Sequence, residues 1–242
     1  MPALSENINF AFADCSKLRP AARTRWAKPF AAVVMAALTA APGMPRAQTQ
    51  VQAKTTAAPT VLVVGDSLSA EYGLKRGTGW VPLLERQLAS EHIPARVVNA
   101  SISGDTTSGG RSRLPALLAL HKPATVVIEL GGNDALRGLP LDMTEKNLSA
   151  MTQAAKISGA KVLLVGMQVP PNYGGAYGAG FSSLFAKVAS AEKVALVPFF
   201  LKGVADGDGA AVNFQSDRIH PNEQSQARML ANVWPELKKL IQ

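Results

Sequence analysis

The sequence predicts an α/β fold in which a five-stranded parallel sheet lies between two layers of helices, a three-layer α/β/α sandwich. Two observations predict it. Short apolar runs alternate with helix-like segments at near-regular intervals from residue 60 to the C-terminus. Residues Val61–Val64 and Val126–Ile128 are apolar at consecutive positions, which is typical of strands that helices bury on both faces. Right-handed crossovers then give a doubly wound sheet, whose ligands bind at the carboxyl ends of the strands.

Each predicted strand is a short run of mainly apolar, often β-branched residues. The five runs are Thr60–Val64, Ala95–Asn99, Thr125–Leu130, Lys161–Gly166 and Ala195–Phe199. Helical patterns between them predict helices over Trp80–Glu91, Ser108–His121, Met143–Ser158 and Phe181–Lys193, and a last helix from about Pro221 to Ile241. We expect Pro235 to kink or restart that last helix, because proline lacks the backbone N–H that a helix interior uses.

Composition favours one globular domain. The chain has 242 residues, of which 47% are hydrophobic and 17% charged. Its single cysteine, Cys15, excludes an internal disulfide and a cysteine-based metal site. Half of the formal net charge of +8 falls in residues 1–47, and the remaining basic residues are scattered. We therefore expect no nucleic-acid partner.

The N-terminus is typical of an export signal. Basic residues between positions 17 and 28 precede an apolar core, Phe30–Ala41, of only 12 residues. A membrane-spanning helix needs about 20 apolar residues, so we expect cleavage near Ala41 or Ala47 and no stable membrane anchor. The predicted product is periplasmic or secreted. The chain then divides into a signal peptide (1–47), a polar linker (48–59) and one α/β domain (60–242).

The segment Gly65-Asp66-Ser67-Leu68-Ser69 follows the first strand, and Asp217 and His220 lie near the C-terminus. A serine hydroxyl is a poor nucleophile at neutral pH unless an imidazole accepts its proton and an acid fixes the imidazole tautomer. We therefore expect Ser67 to be a nucleophile, His220 its base and Asp217 the acid. In a turn from strand to helix, the Ser67 hydroxyl would stand above the sheet. A helix cap is the alternative role for Ser67.

Several neighbouring residues leave alternatives open. Ser69 is a rival nucleophile, although one helical step further on it should point elsewhere. Three further aspartates are alternative acids, since sequence does not measure distance: Asp66, Asp105 and Asp134.

The loops after the second and third strands contain small and amide-bearing residues. Gly104 can bring its backbone N–H close to a ligand, although Asp105 and Thr106 can equally make this loop a helix cap. Asn133 follows two glycines and offers an uncharged donor, as an oxyanion hole requires, or it braces the turn. We assign Asp134 to structure.

Apolar side chains near these motifs are candidates for an acyl-binding groove, with core packing as the alternative. They are Leu68, Leu136, Leu139, Pro140, Tyr173, Tyr177 and Ile219. The loop 168–180, rich in Gly, Pro and Tyr, is expected to cover that groove and to adjust on binding.

Together these motifs resemble the GDSL/SGNH hydrolase superfamily, whose marker residues Ser, Gly, Asn and His match Ser67, Gly104, Asn133 and His220 in order. The segments Asn99–Thr106, Asn172–Gly174 and Val197–Phe200 are similar to those of its periplasmic thioesterase I, arylesterase and lysophospholipase group. The resemblance implies a flavodoxin-like SGNH-hydrolase fold. It also implies an oxyanion hole formed by the backbone N–H groups of Ser67 and Gly104 and the Asn133 amide.

The expected function is hydrolysis of carboxylic esters and thioesters of acyl substrates, including lysophospholipids, through an acyl-enzyme intermediate. A carbohydrate O-deacetylase of the same superfamily is the alternative, followed by a non-catalytic ligand-binding α/β domain. We expect no metal or other cofactor, because the sequence contains no phosphate-binding or metal-binding motif. We also expect a monomer.

Overall fold

The computed structural model describes residues 58–207 and 209–242. The predicted signal peptide and its cleavage site lie outside these residues, as does most of the linker. The strands and helices alternate along the chain. In order they are β1 (Thr60–Gly65), α1 (Trp80–Ser90), β2 (Arg96–Asn99), α2 (Thr107–His121), β3 (Thr125–Glu129), α3 (Gly132–Leu136), α4 (Leu141–Ile157), β4 (Lys161–Val165), α5 (Gly175–Glu192), β5 (Ala195–Val197) and α6 (Gln226–Ile241).

The five strands form one parallel sheet in the order β2-β1-β3-β4-β5. Strand β1 lies near the middle, and Leu62 pairs with Val98 on one side and Val126 on the other. Every residue of β1 and β3 is buried, as their consecutive apolar positions predict. The prediction of a five-stranded parallel sheet is confirmed. Since β2, β1 and β3 are neighbours, the loops that leave their carboxyl ends meet at one edge of the sheet.

Helices cover both faces of the sheet. Helix α1 packs against α6 on one face, while α2 packs against α4 and α4 against α5 on the other. Aromatic side chains fill both helix–sheet interfaces. Trp80 and Phe200 pack edge to face with ring centroids 5.6 Å apart, and Phe181 and Phe185 do so at 5.4 Å. The predicted three-layer sandwich is therefore confirmed.

Two predicted helix starts are wrong. Helix α5 begins at Gly175 instead of Phe181, so it takes up the second half of the predicted loop 168–180. Tyr177 explains the earlier start, because its ring stacks on Phe181 one turn further on and its hydroxyl donates to the Leu139 carbonyl at 3.3 Å. The last helix starts at Gln226 instead of Pro221, since Pro221 forms a bridge with Phe214 and a 3₁₀ turn follows.

Of the two effects expected of Pro235, a kink or a restart, the restart does not occur, because α6 continues through the proline. Proline removes one backbone N–H from a helix, but tertiary packing offsets that loss here. The buried side chains Met229, Val233 and Leu237 hold α6 on the sheet on both sides of the proline. The short helix α3 was not predicted, since five residues are too few for a periodic pattern.

Among the described residues, none of the helices combines the length and the apolar character needed to cross a lipid bilayer.

Candidate active site

Ser67, His220 and Asp217 form a continuous line of hydrogen bonds. His220 Nε2 lies 2.9 Å from Ser67 Oγ, and His220 Nδ1 lies 2.7 Å from Asp217 Oδ2. An ionised carboxylate only accepts hydrogen bonds, so Nδ1 carries the imidazole proton. In the neutral imidazole, Nε2 then carries no proton and accepts the hydrogen of the Ser67 hydroxyl. The structure brings the three predicted residues together although 153 positions separate Ser67 from His220.

A tight turn holds Asp217 beside the imidazole. Asp217 Oδ1 accepts the backbone N–H groups of Ile219 at 2.9 Å and His220 at 3.0 Å. Arg218, which follows Asp217, adopts the left-handed conformation with φ of 57°, and this folds the chain back on itself. The hydrogen bond from the His220 backbone is the main cause that lowers the pKa of Asp217 to about 2. The carboxylate is therefore ionised at neutral pH.

Ser67 opens a series of turns at the carboxyl end of β1, and α1 begins only at Trp80. The predicted turn is present, and the first predicted helix begins at Trp80 as expected. The turn is tied to the loop that carries His220, because Gln215 Nε2 donates to the Tyr72 carbonyl at 2.9 Å. The Tyr72 ring also lies against the His220 ring, with centroids 4.4 Å apart. Tyr72 was missed by the sequence reasoning.

The three predicted oxyanion donors follow β1, β2 and β3, which are adjacent in the sheet. Among residues 58–207 and 209–242, the backbone N–H groups of Ser67 and Gly104 have no hydrogen-bond acceptor. Gly104 has φ of 78°, a left-handed conformation that side chains disfavour. The Asn133 side-chain amide donates one hydrogen to Asp66 Oδ2 at 3.0 Å. Each of the three groups thus retains an N–H that a ligand can use.

Arg113 braces the first two of these loops from α2. Its guanidinium donates to the carbonyl of Gly65 at 3.3 Å and to that of Ala100, and it pairs with Asp105 at 2.7 Å. The planar fork of arginine suits three acceptors in different directions. Arg113 was not singled out by the sequence, because one basic residue in a helix is ordinarily solvated.

The alternative acids do not touch His220. Asp66 bonds Asn133, and Asp105 pairs with Arg113. Asp134 is buried and accepts from the backbone N–H and the hydroxyl of Thr107, so it has the structural position expected of it. Thr106 caps α2 by accepting from the Gly109 N–H at 3.3 Å.

The rival nucleophile Ser69 points into the protein. Its hydroxyl is buried, donates to Glu129 Oε2 at 2.6 Å and accepts from Trp80 Nε1 at 3.0 Å. Glu129 lies at the end of β3 and is 2% exposed. Burial, with a smaller contribution from the nearby Asp66 carboxylate, raises the pKa of Glu129 well above its usual range. The sequence reasoning missed Glu129, although a lone acid in the apolar run Thr125–Leu130 was a usable signal.

The seven candidate acyl-binding residues occupy different environments. Leu68 and Tyr177 pack partly against the core. Leu136, three residues after Asn133 in the sequence, is 47% exposed, and Ile219, next to His220, is 49% exposed. Leu139 and Tyr173 are half-buried, and Pro140 is exposed at the start of α4. Two surface depressions of about 450 and 350 Å³ lie in the described part of the chain, and no triad residue lines either of them.

Residues 63–228, more than half of the chain, match the GDSL-like lipase/acylhydrolase family. The chain belongs to this family. Esterase TesA of Pseudomonas aeruginosa is 57% identical over 185 residues, which cover 76% of this chain and 90% of that protein. Thioesterase 1/protease 1/lysophospholipase L1 of Escherichia coli K12 is 41% identical over 185 residues, with 76% and 86% covered. The crystal structure of TesA has a TM-score of 0.72 at 57% identity and covers 75% of this chain and 99% of that chain.

This member of the GDSL family is therefore a hydrolase of ester bonds, as the sequence predicted. The observed strand order, β2-β1-β3-β4-β5, is the flavodoxin-like order that the resemblance implied. Its substrates are small-molecule esters.

Proposed function

We propose that Ser67, His220 and Asp217 are the catalytic triad through which this hydrolase forms and breaks an acyl-enzyme. The observation that carries the proposal is the unbroken line of hydrogen bonds from the serine to the carboxylate, at 2.9 and 2.7 Å. Both distances are within the range in which proton transfer between positioned groups is efficient.

In the first half-reaction, Ser67 Oγ attacks the acyl carbonyl carbon while His220 Nε2 takes the hydroxyl proton. His220 then gives this proton to the leaving oxygen or sulfur as the bond to the acyl carbon breaks. The ionised Asp217 stabilises the imidazolium that forms in between. In the second half-reaction, water attacks the acyl-enzyme, and His220 again acts as base and then as acid.

The negative charge that develops on the carbonyl oxygen would be stabilised by the N–H groups of Ser67 and Gly104 and by the Asn133 amide. Support comes from their position at three adjacent strand ends and from the N–H that each has available. Donors of this kind, held in place before the reaction, cost no reorganisation when the charge appears.

We further propose that the natural substrates include lysophospholipids, which combine an acyl chain with a headgroup that carries a phosphate. Three exposed apolar side chains suit the acyl chain. Tyr72 lies against His220, Ile219 precedes it in sequence, and Leu136 is three residues after Asn133. The Arg137 guanidinium, which donates to the Gly104 carbonyl at 2.8 Å, suits the phosphate. We also propose that the protein is a monomer, and that it is periplasmic or secreted after cleavage near Ala41 or Ala47.

Ser67→Ala tests the triad. The variant should lose acylation, so turnover of p-nitrophenyl butyrate should fall by at least about 10⁴-fold. A fluorophosphonate probe, followed by peptide mass spectrometry, should label Ser67 in the wild type. Ser69→Ala is the matched control, because it removes the neighbouring hydroxyl but leaves the triad bonds in place. Labelling of another serine, or full turnover by Ser67→Ala, would refute the assignment.

A substrate panel tests the finer proposal. Release of fatty acid from lysophosphatidylcholine and from palmitoyl-CoA is compared with deacetylation of acetylated xylan. Activity confined to acetylated xylan would reject the lysophospholipid proposal in favour of an O-deacetylase.

A further inference from the structure

Asp66 is a buried carboxylate that the proposed mechanism does not use. It is 2% exposed. It lies between the turn that carries Ser67 and the short helix α3, which carries Asn133. Its two oxygens accept different donors. Oδ1 accepts the backbone N–H of Leu68 at 3.0 Å, and Oδ2 accepts the side-chain amide of Asn133 at 3.0 Å. One carboxylate therefore links two segments that are 67 positions apart.

The Asn133 contact restricts the orientation of its carboxamide. The oxygen and the NH₂ group of an asparagine carboxamide have nearly the same shape, but the NH₂ group donates hydrogen bonds and the oxygen accepts them. An ionised carboxylate has no hydrogen to offer, so Asn133 must face Asp66 with its NH₂ group. The second hydrogen of that NH₂ group is then available to a ligand.

We propose that Asp66 is a positioning residue that holds the Asn133 carboxamide in the orientation in which it donates to the oxyanion. Through the Leu68 N–H, the same carboxylate fixes this donor relative to the turn that carries Ser67. The inference rests on the proposed function, because it needs Asn133 to act as an oxyanion donor.

Asp66 is surrounded by other titratable and charged groups. Glu129 faces it from β3, Asp105 from the loop after β2 and His220 from the C-terminal loop, while Arg113 of α2 bonds the adjacent Gly65 carbonyl. Burial raises the pKa of Asp66 to about 6 in spite of the hydrogen bonds from Leu68 and Asn133. The carboxylate is therefore mainly ionised at pH 7 and above, where we expect the orientation of Asn133 to be most strictly fixed.

Asp66→Asn provides a specific test, because it keeps the shape and changes only the donor pattern. The Leu68 N–H is a fixed backbone donor, so the new asparagine must keep its carbonyl oxygen towards it. Its NH₂ group then faces the NH₂ group of Asn133. Asn133 is expected to flip and present its carbonyl oxygen instead, which removes the oxyanion donor.

The expected result at pH 8 is a fall in kcat of about 100- to 1000-fold with little change in KM, the effect of losing one oxyanion donor. Asn133→Ala should cause a similar fall. The double variant should be no worse than Asn133→Ala alone within about threefold, because both changes remove the same interaction. A role of Asp66 in the fold alone would instead give losses that multiply.

Glu129→Gln is the matched control. It makes the same carboxyl-to-amide change at a neighbouring buried acid that does not touch Asn133, so kcat should stay within about threefold of the wild type. Asp66→Ala gives a second variant that also removes the anchor, and circular-dichroism melting verifies that each protein is folded.

Wild-type turnover by Asp66→Asn, or a further 100-fold loss when it is added to Asn133→Ala, would overturn the inference. These outcomes are separable from failure of the proposed function. Full activity of Ser67→Ala would reject the triad itself, whereas an inactive Ser67→Ala beside a fully active Asp66→Asn would reject only the role of Asp66.

Discussion

Replacing Asp66 by asparagine should raise the free energy of unfolding at neutral pH. Burial raises the pKa of this carboxyl from 3.8 to about 6 in the folded protein. The difference of about 2 pKa units corresponds to about 3 kcal/mol, since each unit is worth about 1.4 kcal/mol. An asparagine has the same shape and no charge to bury, so the variant avoids this cost.

The sign of the pH dependence follows from proton binding. Between pH 4 and 6 the folded protein holds the Asp66 proton while the unfolded chain has released it. Wild-type stability should therefore fall as pH rises through this window, and the cost should be complete above pH 6. Asp66→Asn should match the wild type near pH 4 and exceed it by about 3 kcal/mol at pH 7. For a domain of this size, that is a rise in melting temperature of about 6–12 °C.

Circular-dichroism melts of both proteins at half-unit steps from pH 4 to pH 8 provide the measurement. The difference between the two curves isolates Asp66, because the other titrating groups are present in both proteins. A difference that does not change with pH would refute the reasoning, and so would a variant that melts below the wild type at pH 7.

Two further substitutions test the surroundings of the triad. Asp217→Asn can present an N–H to His220 Nδ1 and so favour the wrong imidazole tautomer. We therefore expect kcat for p-nitrophenyl butyrate to fall by about 10⁴-fold. The melting temperature should change little, because the Asp217 side chain is 35% exposed. A loss of less than tenfold would mean that another group orients the imidazole. Arg113→Lys replaces a planar guanidinium by a single ammonium that cannot keep the hydrogen bonds to both carbonyls. The free energy of unfolding, measured in urea, should therefore fall by about 3 kcal/mol. Arg111→Lys on the same helix is its control and should lose less than about 1 kcal/mol, since it gives up one bond to Asn147.

The sheet could be predicted from the sequence because burial on both faces leaves a direct signal. Val61–Val64 and Val126–Ile128 are apolar at every position, and the structure buries all of them. The errors fall where a tertiary contact decides a boundary. Tyr177 extends α5 towards the N-terminus by stacking on Phe181, and no local pattern in the sequence reports that contact.

The triad could be nominated from the sequence because each residue follows a predicted strand or precedes a predicted helix. The distance between Ser67 and His220 could not be predicted, since it depends on how the C-terminal loop folds back. That loop is fixed by long-range contacts such as the hydrogen bond from Gln215 to the Tyr72 carbonyl. The acyl-binding candidates were the least predictable, because a half-buried leucine such as Leu68 looks the same in a core and in a groove.

The two buried acids under the nucleophile illustrate why a rule of sequence reading failed at this site. Acidic residues are normally solvated, so Asp66 was considered only as a partner for His220 and Glu129 was not considered at all. Two carboxyl groups in one buried cluster cannot both ionise cheaply. Burial accordingly raises the pKa of Glu129 well above its usual range and the pKa of Asp66 to about 6. An isolated ionised carboxylate in a core is destabilising. Asp66 is not isolated, because its carboxylate accepts hydrogen bonds from the Leu68 backbone N–H and from the Asn133 side-chain amide. If Asp66→Asn is both more stable and less active, the destabilisation is the physical consequence of keeping the Asn133 amide turned towards the substrate.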